Sequence, residues 1–145
     1  LSQGKSYQTM ARDLKKAIDT TYTNAIRIIR TEGQTAANAG QEDAYTWARQ
    51  KGVELDMIWD ATLDGATRPT HGAADGQKRG DDGLFRVGGE TAPYPGWEGL
   101  SAGERILCRC RLRGEVKGYE PALRRSRDKG VIPYETYSQW AKGRT

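Results

Sequence analysis

The chain has little of the side chains that carry most protein chemistry: two cysteines, one histidine and one phenylalanine among 145 residues. It contains no apolar run near the roughly 20 residues that a membrane-spanning helix needs, and its start shows no signal-peptide pattern. We therefore expect no membrane partner. Hydrophobic residues make up only 36% of the chain, so four tryptophans and seven tyrosines must supply much of the buried apolar area.

The two cysteines, Cys108 and Cys110, are separated by a single residue. That spacing does not allow a comfortable disulfide between them, and one such pair favours a reducing compartment. The chain begins with Leu1 rather than Met, so we expect a fragment or a processed product. Its length is that of one domain with a single core.

Positive charge is concentrated at the C-terminal end of the chain. Residues 1–104 contain 12 Lys/Arg and 15 Asp/Glu, a net charge of −3, whereas residues 105–145 contain 11 and 4, a net charge of +7. Such a basic segment is typical of contact with nucleic acid or with an acidic protein surface. A solvated, arginine-rich tail is the alternative, and composition leaves both open.

Apolar residues at three- and four-residue spacings predict helices over the first fifty residues. The first helix has Ser6 as its N-cap. A second begins near Tyr22 and is weakened at Gly33. A third runs over about 41–50 and ends at Lys51-Gly52, where glycine and a cation suit a helix C-terminus.

After Gly52 the apolar period becomes alternating, which indicates strands. The predicted elements are a strand over 53–63, a loop over 68–83, a short strand over 84–87, a strand over 105–116 and a helix with Pro133 in its first turn over 133–140. This order indicates an α+β fold in which N-terminal helices pack on a small, loop-rich antiparallel sheet, followed by a short C-terminal helix. We expect one domain over 1–145, with a helical part (1–52), a strand and loop part (53–116) and a basic C-terminal segment (117–145).

His71 is the only imidazole of the chain, the group best suited to acid–base chemistry near neutral pH. It falls in the predicted loop, close to Asp64, Arg68 and Asp75, so catalysis, metal ligation and a structural hydrogen-bonding role are all open. Both aspartates precede a glycine, which favours turns in which the carboxylate accepts backbone N–H groups over a catalytic role.

The chain's soft metal ligands are His71, Cys108 and Cys110. If zinc were bound, these three residues would hold it, and Asp75 or a water would complete the four ligands. The C-x-C spacing differs from the C-x-x-C spacing usual in zinc sites. The alternative is a pair of thiols packed as small hydrophobic side chains. From the residues alone we predict neither a metal nor another cofactor.

Two sets of arginines invite further hypotheses. Arg30, Glu32 and Arg68 are predicted to form a buried ion-pair network that ties the helices to the loop, since arginine serves well as a multi-donor clamp. Another set shares the outer face of the predicted strand over 105–116, where it would meet nucleic-acid phosphates or stay solvated. Its members are Arg109, Arg111 and Arg113.

Several of these residues, taken in order, resemble the pattern of the phage head morphogenesis family, the minor head proteins similar to Mu F. The resemblance covers about residues 25–110. Its elements in this chain are Arg30-Thr31-Glu32, Asn38, the run from Trp59 to Asp64, Thr67-Arg68, His71, Asp75-Gly76, Gly88-Gly89, Tyr94-Pro95-Gly96 and Cys108-Arg109-Cys110. One departure is Leu107, which stands where the family usually has Asn or a similar polar residue, and a leucine cannot form that residue's side-chain hydrogen bond.

The resemblance implies a few-copy protein of the virion, inside the capsid, with the host cytoplasm as its location during assembly. It implies association with the portal, with other capsid proteins and with DNA packaging or delivery, and DNA would be reached through the basic C-terminal segment. Relatives carry an upstream region that we expect to be missing here. The residues that form the structural motif are Arg30, Glu32, Asp64, Arg68, His71, Asp75, Cys108 and Cys110.

The leading hypothesis is therefore a structural and assembly protein that turns over no substrate. The alternative is a phage-linked toxin domain with a nuclease activity of the barnase or EndoU type, suggested by analogy of fold class alone. In that case His71 would be the acid–base group, Arg68 or Arg109 would stabilise phosphate charge, and Glu32 could serve as the second proton carrier. A single histidine with no obvious second proton carrier argues against an enzyme.

Overall fold

The computed structural model describes residues 4–144, so the start at Leu1 lies outside the described part. The elements follow one another as α1 (Tyr7–Ile18), α2 (Tyr22–Gln50), β1 (Leu55–Asp60), α3 (Pro69–Ala74), β2 (Phe85–Val87), β3 (Glu90–Ala92), α4 (Ala102–Arg105), β4 (Arg111–Val116), β5 (Leu123–Ser126), β6 (Gly130–Pro133) and α5 (Tyr137–Lys142). The predicted α+β class, with helices first and a short helix last, is confirmed. Within residues 4–144 no helix is both long and apolar enough to cross a bilayer.

The start of α1 and the end of α2 follow the local signals in the sequence. The Ser6 hydroxyl accepts a hydrogen bond from the Thr9 N–H at 3.2 Å, which confirms the predicted N-cap. At the other end Lys51 is the C-cap of α2, and Gly52 has φ +93°, a conformation that costs glycine little. Helix boundaries with a specific cap residue are thus well predicted.

The interior of α2 differs from the prediction. It is one continuous helix of 29 residues, so the expected division into two helices around Gly33 is wrong. Gly33 stays helical, and its missing side chain serves packing instead. A Cβ at this position would lie 3.1 Å from the hydroxyl oxygen of Tyr7, so the glycine lets α1 approach α2 closely.

The central sheet pairs β1 antiparallel with β4, from Leu55↔Val116 to Asp60↔Arg111. Alternation along the predicted strand over 53–63 places Ile58 on the face opposite to Met57 and Trp59, yet all three are buried. The reason is that the chain after α3 runs along the other edge of β1, where Ile58 bridges to Lys78 and the Trp59 N–H donates to the Gln77 carbonyl. Covered on both edges, β1 is a central strand.

The other predicted strands and loops are corrected in detail. The expected loop over 68–83 contains α3, which begins at Pro69, a residue suited to the first helical turn. The expected strand over 105–116 is extended only from Arg111, because α4 precedes it and Leu107 has φ +56°. The predicted strand over 84–87 is confirmed as β2, and a Gly88-Gly89 turn with positive φ at both residues returns it as β3.

The segment 117–145, expected to be a basic tail with one helix, also contains the β5–β6 hairpin. The expected helix start near Pro133 is wrong, because Pro133 closes β6 and α5 begins at Tyr137. A capping box between Thr136 and Gln139 fixes that start. The hairpin and helix are joined by Trp140, a buried residue whose indole N–H donates to the Ser126 hydroxyl at 3.2 Å.

The hydrophobic core lies between the central sheet, α3 and the β2–β3 hairpin. Its largest members are Trp59, Phe85 and Leu112, and the rings of Trp59 and Phe85 meet edge to face with centroids 5.6 Å apart. The expectation that aromatic residues supply the core holds only in part, since Trp47 and Tyr119 are 62% and 77% exposed.

Asn38 joins α2 to this core through three hydrogen bonds. Its side-chain N–H groups donate to the carbonyls of Pro95 at 2.7 Å and Cys110 at 2.9 Å. Its amide oxygen accepts from the Leu112 N–H at 3.0 Å. The side chain is almost fully buried, so it satisfies backbone groups of two distant segments that water does not reach.

We expect Asn38→Ala to lower the free energy of unfolding by about 2–4 kcal/mol, because it leaves buried backbone groups without partners. Urea unfolding followed by circular dichroism measures the change. Asn24→Ala on the same helix is the matched control, because the structure records no side-chain hydrogen bond for Asn24 among residues 4–144, and it should change stability by less than about 0.5 kcal/mol. Equal effects of the two substitutions would contradict the role of Asn38.

Candidate functional site

The structure brings together the three soft ligands of the chain, His71, Cys108 and Cys110, which we call the histidine–cysteine centre. The Nδ1 atom of His71 lies 3.8 Å from Sγ of Cys108 and 3.2 Å from Sγ of Cys110. All three residues are buried, and both cysteines are free thiols. The Trp59 ring packs edge-on against the imidazole, with centroids 5.8 Å apart.

His71 reaches the centre from α3, and the two cysteines reach it from the segment between α4 and β4. That segment turns at Leu107, whose N–H donates to the Thr31 hydroxyl of α2 at 3.1 Å. Arg68, the residue before α3, donates to the Ile106 carbonyl. These two hydrogen bonds hold the cysteine segment against α2 and the start of α3, so they, rather than a disulfide, position the thiols.

The second ring nitrogen of His71 faces a carboxylate. Its Nε2 lies 3.0 Å from Oε2 of Glu104, and Glu104 is largely shielded from solvent. The N–H does not point straight at the oxygen. The same Glu104 oxygen accepts a hydrogen bond from the Thr70 hydroxyl at 2.9 Å. A ring proton on Nε2 would leave the Nδ1 lone pair facing the sulfurs, whereas a proton on Nδ1 would be donated to a thiolate.

The two thiols differ strongly in acidity. A hydrogen bond from Cys110, together with the nearby His71, lowers the pKa of Cys108 to about 5. Donating that hydrogen bond to Cys108, together with burial, raises the pKa of Cys110 well above its ordinary value. The two thiols are therefore not equivalent, and Cys108 is the more acidic of the pair.

Asp75 forms the second buried polar cluster. Both of its oxygens accept from Arg124 at 2.7 Å, one also accepts from the Ala61 N–H at 2.7 Å, and the other from the Tyr137 N–H at 2.7 Å. Its carboxylate has no exposed surface. The sequence interpretation of Asp75 as an acceptor of backbone N–H groups is correct in kind, but the groups lie in distant segments. The same contacts make Asp75 unavailable as a ligand of the histidine–cysteine centre.

Arg124 and Glu104 are the residues that the sequence analysis missed. Arg124 stood in a segment interpreted as a solvated basic tail, yet it is buried against Asp75 and Asp60. No sequence motif around either residue indicates that its side chain has buried or positioning contacts. Alternation over Leu123–Ser126 was the one available hint, since it predicts a short strand with Arg124 and Ser126 on the same face.

Asp64 forms a tight turn and binds an arginine. Its carboxylate accepts from the Ala66 N–H at 3.0 Å, as the Asp-Gly turn predicted, and also forms a bidentate pair with Arg109, with one contact at 2.7 Å. The hydrogen bonds from Arg109 are the main reason that the pKa of Asp64 falls to about 2. Arg109 is thereby drawn into the structure rather than left for a partner.

The predicted network of Arg30, Glu32 and Arg68 does not form. Glu32 instead pairs with Arg105 of α4, at 2.8 and 2.7 Å. Arg68 binds the Ile106 carbonyl, and exposed Arg30 makes no ion pair with either residue in the described part of the chain. In the family pattern Glu32 belongs to the Arg30-Thr31-Glu32 element. In the structure α2 continues past Glu32, and the Glu32 side chain contacts α4.

The same contacts disfavour the nuclease set. The imidazole of His71 is 2% exposed, with Nδ1 facing Cys110 and Nε2 facing Glu104. Glu32 is committed to Arg105, and Arg68 to a backbone carbonyl. A general acid–base group must reach a substrate proton within hydrogen-bonding distance, and the enclosed His71 ring leaves no surface for one.

The predicted basic face of Arg109, Arg111 and Arg113 is divided. Arg109 binds Asp64, and Arg113 binds Glu115 and donates to the Tyr134 hydroxyl at 3.1 Å. Of these three arginines, only Arg111 is exposed and has no ion pair within residues 4–144. The strand pairing explains the difference, because Arg113 stands beside acidic residues that arrive from β1 and from its own strand.

Arg111 instead belongs to a cleft of about 510 Å³ that we call the arginine cleft. Its arginines come from the end of β4 and from β5 and the turn after it: Arg109, Arg111, Arg124, Arg125 and Arg127. Asp60 on its wall, Asp64 and Asp75 neutralise part of this charge. Arg111 and Arg125 are exposed and carry no ion pair in the described chain, and Arg127 only reaches Asp64 at 3.4 Å.

The chain matches the model of a family described as Phage Mu protein F like protein over residues 1–113. It is 33% identical over 141 residues to the NAD(+)--arginine ADP-ribosyltransferase EFV of Enterococcus faecalis, covering 97% of this chain and 29% of that protein. It is 31% identical over 147 aligned residues to the Minor head protein GP7 of Bacillus phage SPP1, covering 98% and 47%. The chain thus spans less than half of either relative. No solved structure matches it significantly.

Leu107 yields a prediction about the site. Its φ of +56° lies in the left-handed region, which costs most residues about 1–2 kcal/mol and asparagine less. Because Leu107 is 42% exposed, Leu107→Asn should lose little packing and raise the melting temperature by about 3 °C. Leu123→Asn, at an exposed strand position, should not raise it. A lower melting temperature for Leu107→Asn, measured by scanning calorimetry, would refute the backbone explanation.

Proposed function

The chain belongs to the Phage Mu protein F like family of phage minor head proteins, and we propose from this that it lies inside the phage head, beside the portal, where it contacts DNA. Its role in this proposal is structural, in head morphogenesis and DNA packaging or delivery. We also propose that residues 1–145 act as one unit. The site geometry supports a framework role, because the motif residues hold segments together and the histidine is enclosed.

The name of the Enterococcus faecalis relative introduces an enzyme activity. The matched part is 29% of that protein. The activity in its name can therefore belong to the part of that protein that this chain does not match. The name of the Bacillus phage SPP1 relative agrees with the family description. A phage head role is therefore the function that the similarities support best.

The arginine cleft is the observation that carries the proposed contact with DNA. Arg111 and Arg125 point their charge into solvent without a carboxylate partner among the described residues. The other arginines of the cleft form ion pairs with carboxylates, which hold their side chains in place and leave them less able to bind a ligand. A phosphate entering the cleft would meet two unpaired guanidinium groups on an ordered wall, which is the arrangement of sequence-independent backbone binding.

Binding to duplex DNA should be weak, independent of sequence and sensitive to salt. Each neutralised phosphate contributes about 0.9 to the slope of log affinity against log salt concentration. We expect the double variant Arg111→Ala, Arg125→Ala to reduce that slope by about 2 and to weaken binding at low salt by about 10-fold or more. Fluorescence anisotropy with a labelled duplex, over a series of salt concentrations, measures both quantities.

A control must remove the same charge elsewhere. Lys15→Ala with Lys16→Ala, at exposed positions of α1, changes the net charge equally and should leave the slope nearly unchanged. If the lysine variant lowers binding as much as the arginine variant, the effect comes from net charge, and the arginine cleft is not the DNA contact. A salt-independent affinity of the unaltered chain would also reject the proposal.

Location within the head is tested separately. We expect the protein to co-purify with assembled heads in a few copies per particle, to be protected from added protease until the heads are opened, and to be captured by purified portal protein. Quantitative mass spectrometry of gradient-purified heads gives the copy number. Absence from the particles, or digestion in intact heads, would contradict an interior location, and failure of the portal to capture it would contradict the portal contact.

A further inference from the structure

We propose that the histidine–cysteine centre binds one zinc ion through Nδ1 of His71 and the thiolates of Cys108 and Cys110, with solvent as the fourth ligand. The centre is the one group of three or more possible ligand atoms found together among residues 4–144, all within 4.8 Å of one another. This inference is independent of the proposed role in the phage head. It assigns a site that neither the motif nor the related proteins' names describe.

The two nitrogen–sulfur separations are close to those of a tetrahedral zinc site, and all three ligand atoms lie within 4.8 Å of one another. Zinc bonds of about 2.3 Å to sulfur and 2.0–2.1 Å to nitrogen place a nitrogen and a sulfur about 3.6 Å apart at the tetrahedral angle. The observed distances from Nδ1 of His71 to the two sulfurs, 3.8 and 3.2 Å, lie on either side of that value. An ion therefore fits between the three atoms with adjustments of a few tenths of an ångström.

The imidazole is already prepared as a ligand. A metal-binding histidine usually donates its other ring N–H to a carboxylate or carbonyl, which fixes the tautomer and makes the ligating nitrogen more basic. Here Nε2 of His71 lies 3.0 Å from Glu104, and Thr70 holds the same carboxylate at 2.9 Å. Glu104 is thus a positioning residue in this proposal: with the ring proton on Nε2 beside its carboxylate, Nδ1 is the nitrogen that binds the ion.

The surroundings also suit a charged centre better than two packed thiols. The indole N–H of Trp59 is buried beside the sulfur of Cys110 without a hydrogen-bond partner of ordinary geometry. Buried N–H groups are rarely left unsatisfied. A zinc-bound thiolate carries more negative charge than a thiol and would accept that N–H, so the proposal accounts for a group that apolar packing leaves unexplained.

The fourth coordination position has room for solvent and little else. Asp75 is excluded because its oxygens are occupied by Arg124 and two backbone N–H groups. A cavity of about 10 Å³, lined by His71 and Cys110 on one side and by Arg68 and Arg109 on the other, adjoins the centre. That volume is close to the minimum for one water molecule. A soft S₂N donor set selects zinc over magnesium or calcium.

Zinc would connect segments that the chain places far apart. It would join α3, which carries His71, to the segment between α4 and β4, which carries the cysteines. Binding displaces the thiol protons, so affinity should fall in acid, and part of the binding free energy becomes folding free energy. The ion would take the place of a disulfide as the cross-link of a loop-rich core.

The direct test measures metal in the purified full chain. Protein purified without chelators should contain about one zinc per chain by plasma mass spectrometry. Removal of zinc by a chelator should lower the melting temperature, and added Zn²⁺ but not Mg²⁺ should restore it. Replacement by Co²⁺ should give a thiolate-to-cobalt charge-transfer band and the strong visible bands of four-coordinate cobalt.

Variants then assign the ligands. Cys108→Ser and Cys110→Ser should each remove about half of the charge-transfer intensity, because each removes one of the two sulfur ligands. Glu104→Gln should keep the cobalt spectrum but weaken zinc affinity by about 10–100-fold in a competition titration. Glu32→Gln, which alters a carboxylate that contacts α4 but not His71, is the matched control and should leave affinity unchanged.

The experiment on the unaltered chain decides the matter even if the cysteine variants fail to fold. A chain that contains no zinc as purified and takes up none in titration would overturn the proposal. So would iron in place of zinc, or a chelator-insensitive melting temperature together with a cobalt spectrum that lacks the charge-transfer band.

Discussion

The fold depends on a few buried polar side chains that each satisfy backbone groups from distant segments. With only 36% hydrophobic residues, the core has too little apolar surface to hold long irregular connections by itself. Asn38 compensates by binding the segments that contain Pro95 and Cys110 to α2, and Asp75 binds the end of β1 to β5 and α5. Removing one such side chain would leave several buried backbone groups without hydrogen-bond partners at once. These positions therefore matter more for stability than any single apolar contact.

The sequence predicts local features of this fold well and its long-range contacts poorly. Ser6, Gly52 and the Gly88-Gly89 turn were predictable because each acts on its own neighbours through a cap or a positive φ. Gly33 and Ile58 were not, because what decides their role is a partner elsewhere: Tyr7 against the glycine, and the chain near Lys78 beside β1. Periodicity describes one element at a time and carries no information about the surface that meets it.

For the candidate site, residue types indicated the chemistry but not its use. The soft ligands His71, Cys108 and Cys110 could be picked out by type, yet 37 residues separate the histidine from the first cysteine, and only the packed fold shows that they meet. Charge counts likewise indicated a basic C-terminal part, but they could not tell paired arginines from unpaired ones. Arg124 and Arg109 form ion pairs with carboxylates, whereas Arg111 forms none in the described part of the chain. Arginine is well suited to both tasks, so its number alone decides neither.

The pair of Asp75 and Arg124 crosses the border of the family match, which ends at residue 113. The carboxylate lies inside that border and its counter-charge lies beyond it, on the β5–β6 hairpin. A fragment cut at the border would lose both Arg124 and the Tyr137 N–H, and the Ala61 N–H alone of these partners of Asp75 would remain. The stretch of sequence that defines the family is therefore shorter than the stretch of chain that must fold with it, and gene fragments or fusions built on this part should extend through the hairpin.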